Sequence, residues 1–254
     1  MIDIHNHVLV GVDDGPANEE EAIALVKQAH EQGITTIVVT PHHLHTRYDN
    51  TFHSVQAGID RLNSIKEISE LNIQLLPGQE IRITDKILEE IENQNIKGIN
   101  DSKYLLIELP SNEVPHYTKK LLFELQNKGF VPIIAHPERN KAIAKDINIL
   151  YELVNNGALS QVTASSLNGE LGKNLQKISI KMIEHNLIHF IASDAHHVLN
   201  RPFAMNNLFN NSKLKNIVAD IEMFLQNNEA LIQDKYIRRE RPIEFNKSKF
   251  FGLF

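Results

Sequence analysis

The chain contains no cysteine among its 254 residues. That excludes disulfides, thiolate metal ligands and any cysteine nucleophile, and it fits a reducing, cytoplasmic setting. No run of about 18 uninterrupted apolar residues occurs, so no membrane span is expected. The first residues lack a charged segment leading into an apolar one, so no secretory signal is read. A basic excess is missing too. The formal net charge is −6, which argues against a general nucleic-acid or membrane-surface binder. An anionic ligand would need a local concentration of positive charge.

What is present is enough apolar material for a sizeable core, at 42% of residues. Short runs rich in Ile, Val and Leu fall at 2–8, 35–40, 73–78, 104–109, 130–135, 159–164 and 188–193. They show little alternation, as expected for strands buried on both faces of a parallel sheet. Amphipathic helical patterns separate them. The first follows Asn18, a good cap, and stops at Gly33; others fit about 53–71, 85–94, 116–128, 146–156, 171–186 and 203–232. This alternation predicts an α/β fold built from βα units around a parallel sheet, as one domain over 1–254.

Candidate ligands fall at corresponding places on this map. His5 and His7 sit at i and i+2 near the end of the first strand and therefore face the same way. His42 follows the second strand, Glu80 the third, Glu108 ends the fourth, His136 the fifth, and Asp194 and His196 follow the seventh. Only the sixth ends in hydroxyls, in TASS. Parallel sheets bind ligands at the carboxyl ends of their strands. Buried imidazoles and carboxylates are rare unless paired or bound to metal. The set therefore predicts a metal centre.

Imidazoles mixed with carboxylates, without thiolates, suit Mn, Fe or Zn better than Ca or Cu(I). With Asp13 or Asp14 added from the VDDGP turn, the donors exceed what one tetrahedral ion takes, so two or three bridged ions are implied. Arg139 and Arg201 follow His136 and His196 closely and belong to the same rim. Guanidinium groups bind phosphate oxygens bidentately, so metals plus two arginines point to a phosphoester. His43, His45 and His197 neighbour the site, while His30, His53, His116, His185 and His189 read as ordinary helix or strand residues. The basic group Lys235, Arg238, Arg239 and Arg241 reads first as a solvated face and second as a partner or substrate contact.

The ordered set HNH (5–7), DDGP (13–16), TPHH (40–43), GQE (78–80), IEL (107–109), AHPER (135–139) and SDAH (193–196) resembles the polymerase and histidinol phosphatase (PHP) superfamily. Within it the sequence is most similar to the manganese-dependent bacterial protein-tyrosine phosphatases of capsule and exopolysaccharide loci. The resemblance implies a distorted TIM-like (β/α)7 barrel with the metal site at the carboxyl ends of the strands. It implies Mn2+ as cofactor, with Fe or Zn as the other fits, held by His5, His7, Asp14, His42, Glu80, Glu108, His136, Asp194 and His196. Glu108 is the implied bridging carboxylate. Arg139 and Arg201 are implied to hold the phosphoryl group, with Asp194, His196 or a water protonating the leaving group. The implied substrate is a phosphotyrosine-bearing protein such as a bacterial tyrosine kinase tail. Alternative readings are a histidinol-phosphate-type phosphatase, a metal-dependent amidohydrolase, and a metal-holding regulatory module without turnover.

Overall fold

Strand and helix alternate along the computed structural model, which describes residues 1–245. Residues 246–254, the end of the expected domain and of the C-terminal basic stretch, lie outside the described residues. The strands are β1 (Ile2–Asp3), β2 (Thr36–Val39), β3 (His42–His43), β4 (Gln74–Pro77), β5 (Glu80–Arg82), β6 (Tyr104–Glu108), β7 (Val131–Ala135), β8 (Leu159–Thr163) and β9 (Phe190–Ala192). All their pairings are parallel, in the orders β1-β2-β4 and β3-β5-β6-β7-β8-β9.

The expected strands 35–40 and 73–78 appear as β2 and β4, and each is followed by a short strand that was not expected, β3 and β5. The first break falls at Pro41, which has no N–H to donate, and the second at Gly78. Gly78 sits where the two runs press together, and a Cβ there would lie 2.9 Å from Val38 Cγ1 and 3.0 Å from Thr40 Cγ2. Hydrogen bonds continue past both breaks, from Gly78 N to Val39 O (3.0 Å) and from Glu80 N to Pro41 O (3.1 Å). The free edges of the two sheets also meet. Asn6 forms a parallel bridge with Ala195, His7 N donates to Ala195 O, and Asp194 N donates to His5 O.

The helices wrap the outside. The first, α1 (Glu19–Glu31), is capped as expected by the Asn18 side chain, which accepts from Glu21 N at 3.0 Å. Glu21 reaches back to Ala17 N (2.9 Å), a reciprocal cap. Its inner face, Ala22, Leu25, Val26 and Ala29, is buried. The expected 53–71 helix is α2 (Phe52–Ser64) and a single turn, α3 (Lys66–Ser69). Then follow α4 (Ile87–Glu92), α5 (Thr118–Asn127), α6 (Lys141–Lys145), α7 (Asn148–Asn155), α8 (Ala164–Asn168), α9 (Lys173–Glu184) and α10 (Val218–Ile232). The short α6 and α8 were not expected, since segments of five residues are too brief to show a helical period. The segment before α10 forms 3₁₀ turns at Asn206–Leu208 and Ser212–Ile217 rather than one long helix.

Apolar side chains gather in two clusters. The larger, including Leu25, Ile107 and Val162, lies between the sheets and the helices. The smaller takes alternate residues of the strands, among them Ile4, Val38, Leu106, Ile133, Leu159 and Phe190. Each such side chain contributes about 1.5–3 kcal/mol over its exposed state. The chain after α10 straps across the amino ends of the strands: Tyr104 Oη donates to Lys235 O (2.6 Å), Ile237 is buried, and Ile243 N donates to His185 O (2.9 Å). Its Lys235, Arg238, Arg239 and Arg241 are exposed, in keeping with the first reading of that basic group as a solvated face, and they lie at the end of the strands opposite the candidate ligands. Among the described residues no helix is long and apolar enough to cross a membrane.

Candidate metal centre

The strand ends and the turn at Asp14 bring all nine candidate ligands into one cluster. The Nε2 atoms of His5 and His7 lie 3.4 and 3.3 Å from Glu80 Oε2, and both lie 3.4 Å from Asp194 Oδ1. Pairing of β3 with β5 sets His42 beside Glu80, with Nδ1 3.0 Å from Oε2. On its other side His42 Nε2 lies 3.4 Å from Asp14 Oδ1, which is also 3.2 Å from His196 Nε2. His136 Nε2 lies 2.6 Å from Glu80 Oε1. Glu108 Oε2 is more distant, 3.8 Å from His42 Nδ1.

Three overlapping donor groups result: His7, Asp14, His42 and His196; His5, His7, Glu80 and Asp194; and His42, Glu80 and Glu108. Glu80 belongs to two of them and its oxygens face four imidazoles. Glu80, delivered by β5, stands in the middle of the cluster, and Glu108, the carboxylate expected to bridge, shares one donor group with it. Glu108 stands nearer the margin, tied by Arg82 Nη1 at 3.1 Å.

The chemistry of the donors fits metal ions. His5 Nε2, His7 Nε2, His42 Nδ1, His196 Nε2, Asp194 Oδ1 and Glu108 Oε2 are buried and lack hydrogen-bond partners. Such orphaned atoms are costly unless something else satisfies them. Metal–ligand bonds of about 2.0–2.2 Å would leave donors around one ion separated by distances of this size.

The opposite edges of the imidazoles are held in place. His5 Nδ1 donates to Gln161 Oε1 at 2.8 Å, and His7 Nδ1 lies 2.6 Å from Asp13 Oδ2. His196 Nδ1 donates to Asp194 O at 2.9 Å. Each bond leaves Nε2 free to point inward, as carboxylate and carbonyl partners do behind metal-bound histidines. The two aspartates of the turn are thereby distinguished. Asp14 faces His42 and His196, while Asp13 stands behind His7 and also accepts from Gly15 N (3.0 Å) and His42 N (3.2 Å). Gly15 is required here, since a Cβ would meet His7 O at 2.4 Å.

Two of the candidate ligands sit in left-handed backbone, His136 at φ 31° and Asp194 at φ 54°. Such conformations in residues other than glycine are sparsely populated and concentrate at functional sites. The turn after His136 is anchored by buried Glu138, whose Oε1 accepts from Thr163 N (3.1 Å) and Thr163 Oγ1 (2.7 Å). The hydroxyls ending the sixth strand thus hold the turn that carries Arg139.

Both rim arginines converge on Asp194. Arg201 Nη2 donates to Oδ2 at 2.7 Å, and Arg139 Nη2 bonds the same oxygen. Asp194 therefore divides its oxygens, Oδ1 toward the imidazoles and Oδ2 toward the guanidiniums. Its carboxyl lies well below the usual range, because burial, which would raise it, is outweighed by Arg139, His5 and Arg201. Glu80 is likewise held low, burial being outweighed by His5 and His42. His42 is raised to about 9 as Glu80 and Asp14 overcome its burial. Glu108 is pushed up to about 7 by burial and by its neighbour Glu80. Burial, with His7 beside it, lowers His196 to about 4.

The cluster floors a cavity of about 330 Å³ lined also by His45, Arg47, Arg82, Ser111, Asn140, Arg139 and Arg201. The His45 ring, which lines the cavity, stacks on His42 at 5.0 Å, and the Tyr48 ring stacks on His42 at 5.9 Å. His43 points elsewhere, toward Asp49 Oδ1 at 2.9 Å, and His197 accepts from Leu199 N at 3.0 Å. Sequence reasoning missed Gln161, Arg82 and Arg47. Gln161 had one signal, a buried amide in an otherwise apolar strand; the two arginines had none.

A family model described as capsular polysaccharide synthesis, CpsB/CapC, matches residues 1–233. CapC of Staphylococcus aureus is 53% identical over 254 residues, covering 100% of both chains. The tyrosine-protein phosphatase YwqE of Bacillus subtilis is 40% identical over 255 residues, again covering 100% of both. The tyrosine-protein phosphatase CpsB of Streptococcus pneumoniae is 30% identical over 244 residues, 93% of this chain and 100% of that protein. A crystal structure from work on YwqE and CpsB, described there as unique metal-dependent tyrosine phosphatases, superposes with a TM-score of 0.91 at 40% identity, covering 97% of this chain and 100% of that one.

Proposed function

The chain belongs to the CpsB/CapC family of capsular polysaccharide synthesis, and on that premise we propose that its metal centre hydrolyses phosphotyrosine in proteins. The enzyme is a metal-dependent tyrosine-protein phosphatase, and the histidinol-phosphate and amidohydrolase alternatives gain no support from its relatives. The observation that carries this reading is the convergence of three donor groups beneath two guanidiniums in one cavity.

His5, His7, Asp14, His42, Glu80, Glu108, His136, Asp194 and His196 would hold two or three ions, with Mn2+ favoured by the oxygen and imidazole donors and by the resemblance. When bound, the ions supply a water of lowered pKa and polarise the phosphoryl oxygens. Arg139 and Arg201 orient the phosphoryl group and neutralise the charge that grows on its oxygens. Asp194 has both oxygens engaged, so it is assigned to ligation and not to proton donation. His196 keeps its ring proton on Nδ1, directed at Asp194 O, and presents Nε2 as a lone pair. Neither residue expected as proton donor has a proton aimed into the cavity. Tyrosine, with a pKa of about 10, leaves readily enough for water in the cavity to protonate it.

The two parallel sheets are read as one distorted seven-stranded TIM-like barrel. Supporting this are the hydrogen bonds that cross both strand breaks, the Asn6–Ala195 bridge between the sheets' edges, and the inner apolar cluster made of alternate strand residues. The physiological substrate is taken to be the tail of a bacterial tyrosine kinase, in the cytoplasm. The test is hydrolysis of a phosphotyrosine peptide beside histidinol phosphate, with chelator and then with Mn, Fe or Zn restored. Loss on chelation with recovery on metal addition is expected; preference for histidinol phosphate would overturn the substrate assignment.

A further inference from the structure

A second concavity, of about 630 Å³, adjoins the metal cavity. Arg139 and Arg201 line both, so the two guanidiniums form the ridge between them. Beyond the ridge Leu171, Leu175, Leu199 and Pro202 supply its apolar lining, with Thr163, Ser165, Glu170, Ser193 and Asn200 as polar neighbours. Leu199 is 80% exposed and Leu171 40% exposed. A single exposed leucine needs no explanation, but four apolar residues lining one concavity mark a binding surface. Its polar neighbour, the metal cavity of about 330 Å³, is at the small end of ligand sites. A protein substrate must therefore run on beyond it.

We infer that this groove receives an apolar side chain flanking the phosphotyrosine of the substrate, and so sets which tyrosines are dephosphorylated. The inference rests on the phosphatase reading and deepens it. The occupant follows from continuity. A phosphoryl group gripped by Arg139 and Arg201 places the substrate chain on the ridge, and an extended chain advances only about 3.3–3.6 Å per residue. Residues one to three positions from the tyrosine then lie over the groove. An apolar side chain there buries itself against Leu171, Leu175, Leu199 and Pro202. Leu199 stands in the turn that ends at Arg201, closed by the backbone bridge between His197 and Arg201, and its side chain is free of that bridge.

The experiment uses the metal-loaded full chain and three substrates. These are a phosphotyrosine peptide with leucine at the flanking positions, the same peptide with serine there, and p-nitrophenyl phosphate. The native enzyme is expected to prefer the leucine peptide. Leu199→Ser and Leu171→Ser are each expected to lower kcat/KM on that peptide about 10-fold, mainly through KM. Turnover of the serine peptide and of p-nitrophenyl phosphate should not change, and Leu199→Met should restore the preference. Equal use of both peptides by the native enzyme overturns the inference, as does an equal loss on all three substrates. A monomer–dimer shift on Leu199→Ser without a change in peptide preference assigns the groove to a second copy and overturns it too. No hydrolysis of p-nitrophenyl phosphate by the metal-loaded native protein would instead refute the phosphatase reading, and the groove assignment would fall with it.

Discussion

Arg139 offers the sharpest test of the site, because it has two partners whose losses read out differently. In Arg139→Ala the phosphoryl group loses a guanidinium. A hydrogen bond to a charged group is worth about 1.5–3 kcal/mol, and tenfold in rate corresponds to about 1.4 kcal/mol. Losing one or two such bonds in the transition state predicts a fall in kcat/KM of about 10²-fold. Asp194, the second partner, is buried at 3% exposure, yet it keeps Arg201 at 2.7 Å. Its carboxylate stays compensated, so metal affinity should fall by less than the 10–100-fold typical of losing an outer partner. Arg139→Ala/Arg201→Ala strips both cations from Oδ2, and metal affinity should then fall by more than the sum of the single losses, as shared partners couple. The assays are kcat/KM on a phosphotyrosine peptide at saturating Mn, inhibition by inorganic phosphate, and metal content by mass spectrometry. Loss of metal in step with activity in the single variant would make Arg139 structural. Strict additivity of metal affinity in the double variant would refute the shared clasp on Asp194.

Asp13→Ala removes the carboxylate behind His7 and should weaken metal binding about 10–100-fold while Asp14 remains in place; a calorimetric titration with Mn checks this, and an unchanged affinity would sink the assignment. His189 is buried against Ser160 N, and its burial, reinforced by Arg239, lowers its pKa to about 3. The unfolded chain takes up a proton near pH 6.5 and the folded chain does not, so stability is full above that pH and is lost as pH falls from 6.5 toward 3. At pH 5 the loss is about 2 kcal/mol, and it should be missing from the urea-unfolding difference between pH 7.5 and pH 5 in metal-free His189→Gln. An equal pH dependence in the two proteins would show that His189 is not the group responsible.

The clustering of the candidate site's residues was legible because a parallel strand fixes which of its ends faces the ligand. His42, Glu80, Glu108, His136 and Asp194 each interrupt or close an apolar run, and that position alone places them on a common rim. The spacing of His5 and His7 fixed their shared direction in the same way. Less of the architecture could be read. The strands β3 and β5, which follow Pro41 and Gly78, lie beyond the runs read as strands, since a pairing of two or three residues depends on the neighbouring strand and not on local composition. The helices α6 and α8 went unseen because they are single turns held by Asn140 and by the packing of Leu167.

The order of donors among the strand ends, the absence of thiols and the family resemblance came from the sequence by itself, and they determined the reading of a metal-dependent phosphoesterase. Tertiary structure alone decided how the donors divide. It put Glu80 at the centre, separated Asp14 from Asp13, set Gln161 behind His5 from 156 residues away, and drew both arginines onto one oxygen of Asp194. Each of those outcomes is a pairing between groups remote in the chain. A sequence carries the identity and the local direction of each partner, but the distance between partners exists only once the strands are in register.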